Sequence, residues 1–223
     1  MLHLALSCLQ GRPMQQATED LLSLGVKALQ LTPGCAPTEG FLPWVEGLGV
    51  QVRTHHGFHP RGLRCPVWGE DNELLVTADS VHPPSSVETT HLEAWWRRIE
   101  DRPLPCLLEV MYPPLPMGNG VDIERAMDLG VVLAVDVSHL YLQKVAGVIT
   151  STTMARLMEY DGIGEIHVSA NDGTRDQHRP PNRSDFGIAW ARERIVDTPV
   201  VLESYFHRLG NSERLAVIEE VAA

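Results

Sequence analysis

Apolar residues in this chain come in short runs, separated by stretches whose apolar positions recur every three or four residues. Leu2–Cys8 is the first run and reads as a strand. Met14–Leu24 carries Met14, Ala17, Leu21, Leu22 and Leu24 at helical spacing. Ala28–Leu31 is a second strand, closed by Thr32-Pro33-Gly34, and Glu39–Leu48 a short helix with Pro43 near its start. Val50–His55 is the third strand. Phe58–Asn72 holds Pro60, Gly62, Pro66 and Gly69, too broken for a regular helix, so a loop is predicted where a helix is missing or vestigial. Leu74–Val81 is the fourth strand, and Ser86–Glu100 a helix with Trp95 and Trp96.

The second half is more regular. Cys106–Met111 is a strand ended by Tyr112-Pro113-Pro114, and Asp122–Leu129 a helix that Asp122 caps. Val131–Val137 is almost wholly apolar, as a parallel strand covered on both faces should be. Ser151–Tyr160 is a helix, Glu165–Ser169 a strand and Ser184–Ile195 a helix. Val200–Glu203 is the last strand and Ser212–Val221 the last helix. Strand–helix alternation without a repeat or a long linker predicts one domain over residues 1–223. Its fold class is α/β, a compact (β/α)₈ TIM barrel with a reduced or missing helix after the third strand. A doubly wound open sheet is the alternative, but no Gly-x-Gly-x-x-Gly or Walker sequence follows a strand.

Composition narrows the function classes. The chain has 223 residues, 43% apolar and 21% charged, which is globular and able to bury a substantial core. No apolar run approaches the roughly 20 residues of a membrane span, and the first residues read as a strand, not a signal peptide. Cys8, Cys35, Cys65 and Cys106 form no Cys-x-x-Cys pair; free thiols in a cytoplasmic protein are the simplest account. A formal charge of −11 argues against extended nucleic acid as a partner and leaves a small-molecule substrate. A homo-oligomer is compatible with all of this.

In a (β/α)₈ barrel chemistry gathers where strands end. The third strand ends in His55-His56, the fourth in His82, the fifth in Glu109. The sixth gives Asp136, with His139 three residues on. The seventh gives His167, and then the turn Asn171-Asp172-Gly173 leads to Asp176 and His178. The eighth gives Glu203. Each is a hard or borderline ligand for a divalent cation. Neighbours on a strand face opposite ways, so only one of His55 and His56 can point inward. Arg61, Arg64, Arg179 and Arg183 lie in irregular loops near the mouth; solvated loop arginines are the default reading, and a phosphate or carboxylate of a substrate is the alternative ligand they would suit. His3, His59, His91 and His207 read as surface or packing residues.

The succession Leu-Glu at 108–109, Asp-x-x-His at 136–139, His-x-Ser-x-Asn-Asp-Gly-x-x-Asp-x-His at 167–178 and Val-Leu-Glu at 201–203 resembles the xylose isomerase-like barrel superfamily. That superfamily includes sugar isomerases and epimerases, endonuclease IV, and multinuclear non-haem iron oxidative enzymes. The resemblance implies a metal on Glu109, Asp136, His167 and Glu203, with the two glutamates moving protons and His139 and Arg175 holding substrate oxygens. Its larger variant implies a second ion on His55 and His82 and a third on His139, Asp176 and His178. One to three divalent ions (Mn, Zn, Fe or Co) are therefore expected. The leading expectation is an isomerase or epimerase of a sugar or polyhydroxy carbonyl compound. A multinuclear phosphoesterase and an iron oxidative enzyme acting on a peptide or small molecule are the alternatives. Arg179-Pro180-Pro181-Asn182-Arg183 replaces the glycine-rich continuation usual after Asp-x-His, and no basic intercalating loop is present.

Overall fold

The computed structural model describes residues 1–9, 12–31, 40–56, 67–69, 71–84 and 92–222. Strands β1 Leu2–Ala5, β2 Ala28–Leu31, β3 Gln51–His56 and β4 Ser80–Val81 are followed by β5 Leu107–Val110, β6 Leu133–Asp136, β7 Ile163–Val168 and β8 Val200–Leu202. They pair in parallel in sequence order, and β8 closes onto β1. Around them run α1 Met14–Leu22, α2 Phe41–Gly47, α3 Leu92–Asp101, α4 Gly120–Asp128, α5 Val137–Ala146, α6 Ser151–Met158, α7 Ile188–Arg194 and α8 Asn211–Ala222. This is a closed (β/α)₈ barrel. Every residue of β2, β6 and β8 is buried, because one face packs inside the barrel and the other under the helices.

Several elements differ from the sequence expectation for identifiable reasons. The run Leu74–Val81 contributes only Ser80–Val81 to the barrel. Leu75 N donates to Val67 O at 2.8 Å, and Trp68 bridges Leu74 antiparallel, so the start of the run pairs locally instead. No helix forms among the described residues between β3 and β4; of the loop expected over Phe58–Asn72, residues 58–66 and 70 lie outside them, as do Cys35 and, within that loop, Phe58, Arg61, Arg64 and Cys65. Asp122 is not the cap of α4: Asn119 is, accepting from Asp122 N at 3.0 Å, while the Asp122 carboxylate takes Asn119 Nδ2 and Met117 N. Residues 184–185 close a turn with Asn182, which delays α7 to Ile188. Helix α5 was not expected from the sequence and begins directly at the end of β6.

The core is built on large side chains. Trp95 and Trp96 of α3 are fully buried, and Trp68 stands edge-on to Trp95 with centroids 5.6 Å apart. Cys8 and Cys106 are buried free thiols. Among the described residues no helix is long and apolar enough to cross a membrane.

Candidate metal centre

Strand register brings the chemical residues to one level. Asp136 pairs with His167, and His167 with Val201, one residue before the end of β8; Glu109 is one strand over on β5. Side chains two apart on a strand share a face, so Glu109, Asp136 and His167 all enter the barrel where its strands end. Asp136 does double duty. As the last residue of β6 it caps α5, with Oδ1 accepting from Ser138 N at 2.6 Å and His139 N at 3.1 Å. The cap fixes the carboxylate and leaves Oδ2 facing the interior.

Glu109 lies at the centre. It is 1% exposed, and His55 Nε2 approaches its Oε2 at 3.3 Å while His82 Nε2 lies at 2.9 Å. On its other oxygen, Oε1, His167 Nδ1 and His139 Nδ1 each stand at 3.5 Å. His167 Nδ1 is also 3.7 Å from Glu203 Oε1. Among the described residues two groups thus have ligand atoms mutually close enough for one ion: His55, His82 and Glu109, and Glu109, Asp136 and His167. Glu109 belongs to both.

A third cluster borders these. His139 Nε2 is 3.6 Å from Asp176 Oδ2, and His178 Nε2 2.9 Å from the same oxygen. His139 Nδ1 lies 2.9 Å from Val110 O, and His178 Nδ1 2.9 Å from Glu203 O. A carbonyl only accepts, so both Nδ1 atoms carry hydrogen, and Nε2 is the nitrogen at which each ring would meet a cation. His178 sits at φ 46°, a backbone region that a side chain makes costly. Tyr205 N, donating to His178 O at 2.9 Å, and the stacked Tyr205 ring hold it there. Gly173, at φ 84°, supplies the left-handed turn that sends the chain back toward Asp176.

The charges of these groups depend on one another. Burial opposes ionisation of Glu109, but His82 and His167 hold its carboxyl well below the usual range. Burial disfavours charge on His139, yet Asp136, with Asp176 and Glu109, raises it to about 10. His178 is raised to about 9, its burial outweighed by Asp176. Burial, with Glu109 and Asp136 adding to it against His167, pushes Glu203 up. His55 goes down to about 3, chiefly through burial.

These residues fit a bound cation. Glu109 Oε2, Asp136 Oδ2, His139 Nε2, His167 Nδ1 and Asp176 Oδ1 are all buried without a hydrogen-bond partner. Buried polar atoms are rarely left so, and a cation would satisfy five of them in one cluster. Of the other expected site residues, Arg175, Arg179 and Arg183 are exposed, and Arg183 turns outward to Glu220.

The sequence reading passed over a polar layer just beneath. Glu165, two residues before His167 on β7, is fully buried and reaches Gln30 on β2, Arg53 on β3 and Ser80 on β4. The signal was present as Glu-x-His on one strand, a spacing that puts both side chains on the same face.

Comparison with known proteins returns a likeness of fold. No family model matches the chain, and no curated protein matches it. A solved structure, described as the TTHB071 protein from Thermus thermophilus soaked with ZnCl2, superposes over 100% of this chain and 99% of its own. The TM-score is 0.52 at 16% identity, so what the two share is the barrel.

Proposed function

We propose that this chain is a metal-dependent enzyme with a multinuclear centre, using divalent ions to hydrolyse a phosphoester in a small substrate. The observation that carries this reading is Glu109, the carboxylate common to both triads. Divalent ions held a few ångströms apart make water acidic enough to attack at neutral pH and stabilise charge on a leaving oxygen. Toward them, His55 and His82 would hold one ion with Glu109. Glu109 with Asp136, His167 and Glu203 would hold another, and His139, Asp176 and His178 a third. Mixed imidazole and carboxylate donors suit Zn, Mn, Fe or Co, and the fold neighbour from Thermus was soaked with ZnCl2. Between the ends of β6 and β7 a cavity of about 320 Å³, lined by Ser138, Tyr141, Ser169, Asn171, Asp185 and Phe186, offers hydroxyls and an amide to a polar substrate. The net charge of −11 favours a small substrate over long nucleic acid.

A second reading, isomerisation or epimerisation of a sugar or polyhydroxy carbonyl compound, has its own support. Glu109 and Glu203 both approach His167 Nδ1, at 3.5 and 3.7 Å, so two carboxylates face one cation position. There Glu203, with its raised pKa, would take and return the proton alpha to a carbonyl. The test is turnover by zinc- or manganese-loaded protein on phosphomonoesters, phosphodiesters and aldose–ketose pairs. Ester hydrolysis is expected; sugar interconversion without hydrolysis puts the second reading first, and oxygen consumption by iron-loaded protein an oxidative one. On whichever substrate turns over, Glu203→Gln is expected to lose at least about 100-fold in rate with an unchanged circular dichroism spectrum. Full activity in that variant removes Glu203 from the site.

A further inference from the structure

Beneath the cluster, one carboxylate sets the orientation of two rings above it. Glu165 Oε1 accepts from His167 Nε2 at 2.6 Å, from Ser80 Oγ at 2.7 Å and from Gln30 Nε2 at 3.1 Å, while Oε2 pairs with Arg53. An ionised carboxylate only accepts, so Glu165 keeps a hydrogen on His167 Nε2, and Nδ1 is the nitrogen that faces Glu109 and Glu203. A serine hydroxyl has one hydrogen. Ser80 gives it to Glu165, so its oxygen accepts from His55 Nδ1 at 3.0 Å. That leaves His55 Nε2 bare, 3.3 Å from Glu109 Oε2. The same carboxylate therefore reaches both cation positions that share Glu109, directly through His167 and by way of Ser80 through His55.

Resting on the metal reading above, we propose that Glu165 is the positioning residue of the centre, and that it makes His167 bind a divalent cation through Nδ1 while His55 binds through Nε2. His139 and His178, held by Val110 O and Glu203 O, bind through Nε2 as well. His167 is thus the odd ring of the set. Its identity as an Nδ1 donor follows from a residue that touches no ion. Outer partners of this kind alter metal affinity by about 10- to 100-fold. Glu165 also neutralises Arg53, whose side chain is largely buried, so its removal strains the fold as well as the centre. Ser80→Ala avoids that difficulty, since it deletes only the hydroxyl between Glu165 and His55.

The experiment is Zn²⁺ binding by competition with a chromophoric chelator, followed by histidine ¹⁵N NMR of the zinc-loaded native protein. The metal-free circular dichroism spectrum of each variant is recorded alongside. Native protein is expected to bind zinc, with the His167 zinc-bound nitrogen at Nδ1 and that of His55 at Nε2. Ser80→Ala is expected to fold as the native chain does, and both it and Glu165→Gln to bind zinc about 10- to 100-fold more weakly. Should Glu165→Gln fail to fold, Ser80→Ala and the NMR assignment still decide the matter. Native zinc affinity in Ser80→Ala, or zinc on His167 Nε2, overturns the role of Glu165 and leaves the metal reading standing. Native protein that takes up no zinc overturns both.

Discussion

Glu109→Gln is expected to empty two cation positions at once. Glutamine keeps the shape of the side chain but offers one weak neutral oxygen where Glu109 offers two charged ones, Oε2 toward His55 and His82 and Oε1 toward His167. Loss of an outer partner already costs about 10- to 100-fold in affinity, so loss of a shared ligand should exceed about 100-fold at both positions. Replacing His82 should weaken only the position it shares with His55. Equilibrium dialysis against zinc, with bound metal counted per chain, separates the two outcomes. If Glu109→Gln retains as much metal as His82→Ala, the carboxylate is not shared.

Zinc affinity is expected to climb steeply with pH. In the metal-free protein His139, raised to about 10 against the opposing effect of burial, and His178, raised likewise to about 9, both carry protons at neutral pH. A cation on their Nε2 atoms must displace these, so affinity there should rise about tenfold per pH unit for each proton released, until the pH passes the two pKa values. The same groups act on stability in the opposite direction. Their folded pKa values lie above the unfolded 6.5, so their charged pairs stabilise the metal-free fold fully below that value. That stabilisation is lost as pH climbs through about 9 to 10. Metal-free protein should therefore melt at lower temperature at about pH 10 than at about pH 7, and loaded protein should not show the drop. Calorimetric titration in two buffers of different ionisation heat counts the protons; release of none argues against His139 and His178 as ligands.

The barrel was legible because parallel strands covered on both faces show as apolar runs, and its ligand candidates because His and acidic residues interrupt those runs at their ends. The departures have physical causes. Leu74, Leu75, Val76 and Ala78 make an apolar run as a strand would, yet hydrogen bonds to the neighbouring Val67 segment take its start out of the barrel. Asp136 looks like the close of a strand, and nothing in Asp-Val-Ser-His announces that its carboxylate also starts a helix. Glu165 was harder. On β7 the apolar Ile166 and Val168 face the helices, while Glu165 and His167 face the barrel interior, a reversal of the usual apolar-inside pattern. The need for a buried carboxylate is apparent only once Ser80, Gln30 and Arg53, from three other strands, are seen around it. Arg175, Arg179 and Arg183, read from loop position as residues near the mouth, have exposed side chains, and Arg183 pairs with Glu220.

The most direct measurement is anomalous diffraction at the zinc edge from crystals soaked in ZnCl2. The account predicts at least two peaks, with one oxygen of Glu109 at about 2.0 to 2.2 Å from each of two of them. A single peak, or a pair that Glu109 does not join, contradicts it.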